Sequence, residues 1–103
     1  MKKEKYLKNS IITDDMRYCL VCGSPYPEVH HVLFGFNRQN SDKYGLIIPL
    51  CAEHHSGNNG PHMNREIDLK YKEMAQRKFE EKHGTREEFI EKFGRSYLWL
   101  KIC

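Results

Sequence analysis

Two short motifs constrain most strongly what this chain can fold into: Cys19-x-x-Cys22 and, further along, Cys51-x-x-His54. Zn²⁺ binds four thiolate or imidazole ligands in a tetrahedron, with sulfur at roughly 2.3 Å and nitrogen at roughly 2.0 Å. A spacer of two residues lets both ligands of a pair lie on one tight turn and face one ion. We therefore predict a structural zinc site at these four residues, which links the first motif to the second.

The size of the chain explains why such a cross-link is useful. It has 103 residues, 39% of them hydrophobic, so we expect one small domain over 18–103 behind a basic arm over 1–17. No secretion signal and no long apolar run are present, so we expect a cytoplasmic protein without a membrane span, with reduced thiols that bind metal. The formal net charge of +3 weakly favours nucleic acid as a partner.

The middle of the chain predicts a hairpin followed by a short helix. Apolar, β-branched runs predict strands over 29–34 and 44–50, and the polar segment over 35–43 predicts a loop between them. A helix is expected to begin near Cys51 and to stop where Gly57 follows, because glycine is costly inside a helix.

The last third of the chain predicts two further helices. Asn64 is a suitable N-cap for a long helix that ends near Gly84. Thr85 and Glu88 form a capping box for a shorter helix that ends at Gly94. An apolar tail over 97–102 is expected to pack on the core. The predicted fold class is therefore α+β.

Four histidines lie outside the predicted zinc site: His30, His31, His55 and His62. A lone histidine is usually a surface or core residue, but two of these are adjacent on a predicted strand and a third follows a zinc ligand. A metal held by few side chains keeps positions for water and substrate. A neutral imidazole beside it can take a proton from the attacking water. We therefore predict a second, open metal site with a catalytic role.

Three motifs of the chain resemble those of HNH endonucleases, whose core is the ββα-metal (His-Me finger) fold. They are Cys-Leu-Val-Cys-Gly-Ser-Pro, Glu-Val-His-His and Pro-Leu-Cys-x-x-His-His-x-Gly-x-x-Gly-x-His, at 19–25, 28–31 and 49–62. More narrowly, they resemble phage recombination-enhancement nucleases, which are RecA-dependent. The resemblance implies a zinc-stapled ββα-metal core with C-terminal helices and hydrolysis of DNA phosphodiesters. It also implies a phage-encoded protein that acts in DNA recombination inside a bacterial cell.

The resemblance also assigns roles to the histidines. His31 becomes the general base, and His30 and His55 become ligands of the catalytic metal. Asn59 has the spacing of a third ligand on a continuous helix, but glycines interrupt the helix there, so His62 is favoured and Asn59 is the alternative. Mg²⁺ or Mn²⁺ is the expected catalytic ion, and imidazole ligands also suit Zn²⁺ or Ni²⁺.

Two features of the hairpin depart from a simple HNH pattern. Gly45-Leu46 stand where the central Asn of these enzymes is expected, and Asp42 and Asn40 are both candidates to brace the loop. In addition, successive residues on a strand point to opposite faces. His30 and His31 can therefore serve one site only if the strand kinks or ends there.

The expected partner is DNA. Arg38, Lys43 and Arg65 are expected to contact phosphates, which position a duplex without reading its sequence. The resemblance further implies a RecA-type recombinase filament as a partner. The alternative function is a non-catalytic zinc module that binds DNA or protein, and a second, closed zinc site would favour it.

Overall fold

An antiparallel hairpin lies at the centre of the chain. In a computed structural model, which describes residues 10–98 apart from the side chain of Phe36, strand β1 (Glu28–His31) pairs with strand β2 (Ile47–Leu50). Val29 lies opposite Pro49. Proline is tolerated here because the sheet has two strands, so each has an edge that needs no ladder partner. The predicted antiparallel hairpin is confirmed, and both strands are shorter than expected.

The connection between the strands is helical, whereas the sequence predicts a loop. Gly35–Asn37 form a 3-10 turn and Arg38–Lys43 form helix α1. The loop prediction is wrong because tertiary hydrogen bonds outweigh the turn propensity of these polar residues. Ser41 is fully buried, and its Oγ donates to Leu46 O (2.6 Å) and accepts from Leu33 N (3.2 Å).

Three further helices follow β2. Their bounds are Ala52–His55 for α2, Arg65–Lys82 for α3 and Arg86–Phe93 for α4. The predicted caps are present: Asn64 Oδ1 accepts from Ile67 N (3.2 Å), and Thr85 with Glu88 forms a capping box. Helix α4 ends at Gly94, whose φ of 93° is a conformation that glycine adopts without strain.

The core lies between the hairpin and helices α3 and α4. Its buried hydrophobic members are Cys19, Val32, Leu33, Leu46, Ile48, Leu50, Ala75, Phe79, Phe89 and Phe93. The wholly buried ring of Phe89 lies 5.4 Å from that of Phe79 and 4.7 Å from that of Phe93, centroid to centroid. Truncation of such a ring typically costs roughly 3–5 kcal/mol. The described residues therefore form an α+β arrangement around one core.

Both ends of the described chain contact this core. Ser10 Oγ donates to Ile47 O (2.6 Å), Ile11 N donates to Gly45 O (2.9 Å), and Met16 is buried. These contacts hold residues 10–17, part of the predicted arm, against the hairpin. At the other end Leu98 is buried, and the rest of the predicted apolar tail, 99–102, lies outside the described residues. Among the helices of residues 10–98, none is both long and apolar enough to cross a membrane.

Candidate metal centres

The first cluster, here called the thiolate cluster, consists of Cys19, Cys22, Cys51 and His54. The ligand atoms of these residues all lie within 4.8 Å of one another. Cys51 Sγ is 3.2 Å from His54 Nδ1, and Cys22 Sγ is 3.7 Å from Cys51 Sγ. Ligands of a tetrahedral zinc ion are expected roughly 3.5–3.8 Å apart from the usual metal–ligand lengths. The four residues predicted from the sequence are thus brought together at a spacing compatible with zinc.

Backbone hydrogen bonds shape the turn of the thiolate cluster. Cys19 N donates to Ser24 O (2.8 Å), and Gly23 N donates to Cys19 O (2.9 Å). Burial raises the pKa of Cys19, but backbone hydrogen bonds that include those of Cys22 and Cys51 outweigh it, and the pKa falls to about 6. The thiolate is the form that binds metal. The backbone therefore favours the metal-binding form of Cys19, whereas the neighbouring Cys51 and Cys19 raise the pKa of Cys22.

The second cluster, here called the three-histidine cluster, is built from three segments. His30 lies on β1, His55 is the last residue of α2, and His62 lies on the loop before α3. Their ligand atoms lie within 4.8 Å of one another, and the ring centroids are 4.9 to 5.3 Å apart. Within residues 10–98, no fourth His, Cys or carboxylate has a ligand atom within 4.8 Å of all three. Three protein ligands and an open position are typical of catalytic zinc sites.

His30 provides the strongest sign that this cluster holds a cation. The residue is 1% exposed, and its Nε2 is buried with no hydrogen-bond partner among the described residues. An unsatisfied buried group costs roughly 1–3 kcal/mol, so its presence calls for a partner. Burial, together with the neighbouring His55 and His62, lowers the pKa of His30 to about 3. Its imidazole is therefore neutral at physiological pH, which is the form that binds metal.

A glycine determines the path of the loop that carries His62. A Cβ atom at Gly60 would overlap the carbonyl oxygen of His55. The loop can therefore fold back against the end of α2 only with glycine at this position. Asn59, the alternative third ligand, donates its Nδ2 to Glu53 Oε2 (3.2 Å). His62 is the residue that the loop brings to His30 and His55.

Glu28 also belongs to this site, although the sequence motif that contains it assigned it no role. His55 Nδ1 donates to Glu28 Oε1 (2.6 Å), while His55 Nε2 lies 3.3 Å from His62 Nε2. A carboxylate placed in this way orients the ring of a metal ligand and raises its basicity. Alternation along the strand is the signal that could have found Glu28, because it shares a face with His30.

We expect Glu28→Gln to weaken binding of a divalent ion at the three-histidine cluster by roughly 10–100-fold. The neutral amide cannot fix the tautomer and orientation of His55 as a carboxylate does. Titration of Ni²⁺ into protein that already holds one zinc ion measures the change. Glu91→Gln, on the exposed surface of α4, is the matched control and should bind like the parent. Equal affinities in the parent and both variants would remove Glu28 from the site.

His31 occupies a separate position beside the three-histidine cluster. It is the last residue of β1, so the strand ends there. This end of the strand meets one of the two conditions under which His30 and His31 can serve one site. His31 Nε2 donates to Asp42 Oδ1 (3.3 Å). Of the two bracing candidates, Asp42 makes this contact, and Asn40 donates instead to Lys92 O (3.0 Å). A depression of about 380 Å³ is lined by His31, Arg38, Gln39 and Asp42.

The three predicted phosphate contacts are all exposed. Arg38 and Lys43 lie at the two ends of α1, and Arg65 is the first residue of α3. Arg38 shares the depression with His31. Several other cations of α3 are instead ion-paired with acids on the same helix, in the pairs Lys72–Asp68, Arg77–Glu73 and Lys78–Glu81. Arg38 is therefore the cation best placed to meet an anion near His31.

Comparisons with protein-family models, with curated proteins and with solved structures gave no match for this chain. The geometry of the two clusters therefore carries the functional interpretation. A closed thiolate site can stabilise a small fold. An open three-imidazole site can polarise an anionic substrate.

Proposed function

We propose that the protein is a divalent-metal-dependent DNA endonuclease of the HNH type, with a zinc-stapled ββα-metal core. The observation that carries the proposal is the buried Nε2 of His30, which has no partner among the described residues and lies with His55 and His62. Such an atom is well explained by a metal ion that the three imidazoles share. The hydrogen bond from His55 to the carboxylate of Glu28 supports the same interpretation, since histidines that bind metal commonly donate to such a partner.

The hydrolytic roles follow from the contacts around the cluster. His30, His55 and His62 would hold a divalent ion, which would supply Lewis-acid polarisation of the scissile phosphate and stabilisation of the leaving 3′ oxygen. His31 is the general base for the attacking water. Because Asp42 accepts a hydrogen bond from Nε2 of His31, the proton of the neutral ring lies on Nε2 and Nδ1 carries the lone pair. Asp42 thereby takes the bracing role of the absent central Asn.

The two clusters are proposed to hold different ions. Thiolates and imidazole retain Zn²⁺ in the thiolate cluster. The three-histidine cluster binds Zn²⁺ or Ni²⁺ tightly, whereas Mg²⁺ prefers oxygen ligands and retains its waters. We propose Mg²⁺ or Mn²⁺ as the ion that supports turnover, so tight binding and fast cleavage belong to different metals.

DNA is the proposed substrate because exposed cations flank the site. Arg38, Lys43 and Arg65 would contact phosphates on either side of the scissile bond. Such contacts position a duplex without reading bases, so weak sequence preference is expected. A phage-encoded role in recombination, with a RecA-type filament as partner in the bacterial cytoplasm, remains part of this proposal.

Nicking of supercoiled plasmid by zinc-loaded protein tests the proposal, with Mg²⁺, Mn²⁺, Ni²⁺ or chelator in parallel reactions. We expect nicked product with Mg²⁺ or Mn²⁺ and none with chelator. The same reactions with single-stranded DNA coated by a RecA-type recombinase form the second arm. Cleavage in that arm alone would show dependence on the filament. Binding of DNA without cleavage in either arm would contradict the enzyme and favour the non-catalytic zinc module.

A further inference from the structure

One ion pair on helix α3 is largely buried, whereas the other ion pairs on this helix are more exposed. Lys72 Nζ lies 2.9 Å from Asp68 Oδ2, and the two side chains are 14% and 12% exposed. The pair Arg77–Glu73, on the same helix, is 56% and 24% exposed. Removing two charges from water is costly even when they pair, so an ion pair at this depth contributes little to stability. Its position suggests a role at a site.

The ion pair lies next to the three-histidine cluster. The ammonium of Lys72 is 4.4 Å from the centre of the Phe34 ring, and that ring is 5.0 Å from the ring of His62. The ring of Phe34 therefore lies between the ion pair and His62 and contacts both.

One oxygen of this carboxylate lacks a partner. Asp68 is 8% exposed, and its Oδ1 is buried with no hydrogen bond to any described residue. Its other oxygen is held by Lys72. Oδ1 is a strong acceptor that costs free energy for as long as no donor reaches it. A donor that becomes available only when the site holds a metal ion would explain why this oxygen is buried without a partner.

His62 has such a donor. Its Nε2 lies 3.3 Å from Nε2 of His55, so this nitrogen belongs to the centre of the cluster. When one ring nitrogen binds a metal, the other carries the proton and commonly donates it to a carboxylate. Glu28 and His55 already show this arrangement at the neighbouring ligand, with a distance of 2.6 Å.

We propose that Asp68 is the positioning residue of His62, and that its Oδ1 accepts the Nδ1–H of His62 when a metal ion is held through Nε2. Lys72 fixes the other carboxylate oxygen and so sets the direction of the acceptor. The proposal rests on the three-histidine cluster being a metal site. It gives two of the three ligands a carboxylate of their own, Glu28 for His55 and Asp68 for His62.

The test is the affinity for Ni²⁺ of protein that carries zinc in the thiolate cluster. Asp68→Asn preserves the shape of the side chain and should lower this affinity by roughly 10–100-fold. Glu66→Gln is the matched control, because Glu66 is an exposed acid in the same first turn of α3. Its affinity should equal that of the parent.

Nitrogen NMR of the zinc-saturated parent provides a readout that requires no variant to fold. We expect the Nδ1 proton of His62 to be present and slow to exchange with water. A rapidly exchanging proton, an unprotonated Nδ1, or an Asp68→Asn variant that melts earlier yet binds Ni²⁺ like the parent would each overturn the proposal.

The outcomes separate this inference from the proposed nuclease. A parent that binds Ni²⁺ as a second metal and shows the Asp68 effect, but cuts no DNA, supports the inference and contradicts the enzyme. A parent that binds no second metal contradicts the metal site and the inference together. Cleavage with an unaltered affinity in Asp68→Asn contradicts the inference alone.

Discussion

Cys51→Ser is expected to unfold the protein under conditions in which the parent is folded. The serine is nearly isosteric, so little packing is lost, but the hydroxyl does not replace a thiolate as a zinc ligand. Binding of structural zinc contributes about 10–16 kcal/mol in small zinc domains. The net stability of a domain of this size is only roughly 5–15 kcal/mol. Loss of the ion therefore removes much or all of the free energy that keeps the protein folded.

Circular dichroism and urea titration of zinc-loaded samples measure this effect. The parent should show one cooperative transition that a chelator abolishes, and Cys51→Ser should show none at any zinc concentration that leaves the parent folded. Cys103→Ser is the control, because this cysteine lies outside both motifs. A Cys51→Ser variant that unfolds at the parent's urea midpoint would show that zinc does not hold the fold.

Local signals in the sequence account for much of the fold. The spacings of Cys19, Cys22, Cys51 and His54 predict the thiolate cluster because each pair lies on one turn. The caps at Asn64 and Thr85 are predicted correctly because a cap depends only on residues within one helical turn. Features set by neighbours in sequence are thus accessible without a structure.

Features that depend on contacts between distant segments could not be predicted from the sequence. Asn37 Nδ2 donates to Phe93 O (3.1 Å), and Asn40 Nδ2 donates to Lys92 O (3.0 Å). These bonds, which span 56 and 52 residues, anchor α1 and its N-cap Asn37 to the end of α4, so no local pattern predicts a helix over Arg38–Lys43. The bond between Glu28 and His55 joins residues 27 apart. Alternation along β1 places Glu28 on the face of His30, but only the fold brings His55 of α2 to it.

His31→Ala is expected to lower the rate of DNA nicking by roughly 10²–10⁴-fold, the usual contribution of a positioned general base. The content of both metals should be unchanged, because His31 belongs to neither cluster. Asp42→Asn should give a smaller loss, because the ring remains but its tautomer and orientation are less well fixed. Initial rates of plasmid nicking, with metal content measured on the same samples, check both expectations.

His83→Ala is the matched control for the general base. His83 is an exposed histidine that lies outside both clusters and donates to Tyr44 O (3.0 Å). Its substitution should leave the nicking rate within a factor of about two, since surface changes away from a site are worth little. Nicking by His31→Ala at the parent's rate, in samples of equal metal content, would assign the proton transfer to another group.

The most direct measurement relates DNA cleavage to occupancy of the three-histidine cluster. Parent and His62→Ala, each carrying one zinc ion in the thiolate cluster, are titrated with Mn²⁺ while bound metal and plasmid nicking are recorded on the same samples. His62 is exposed and lies on a loop, so the variant should keep its fold. We expect the parent's nicking rate to rise with a second bound metal and to saturate at one equivalent. In His62→Ala we expect the second metal and the cleavage to be lost together. Cleavage by His62→Ala at the parent's rate without a second metal would show that the three-histidine cluster is not the catalytic site.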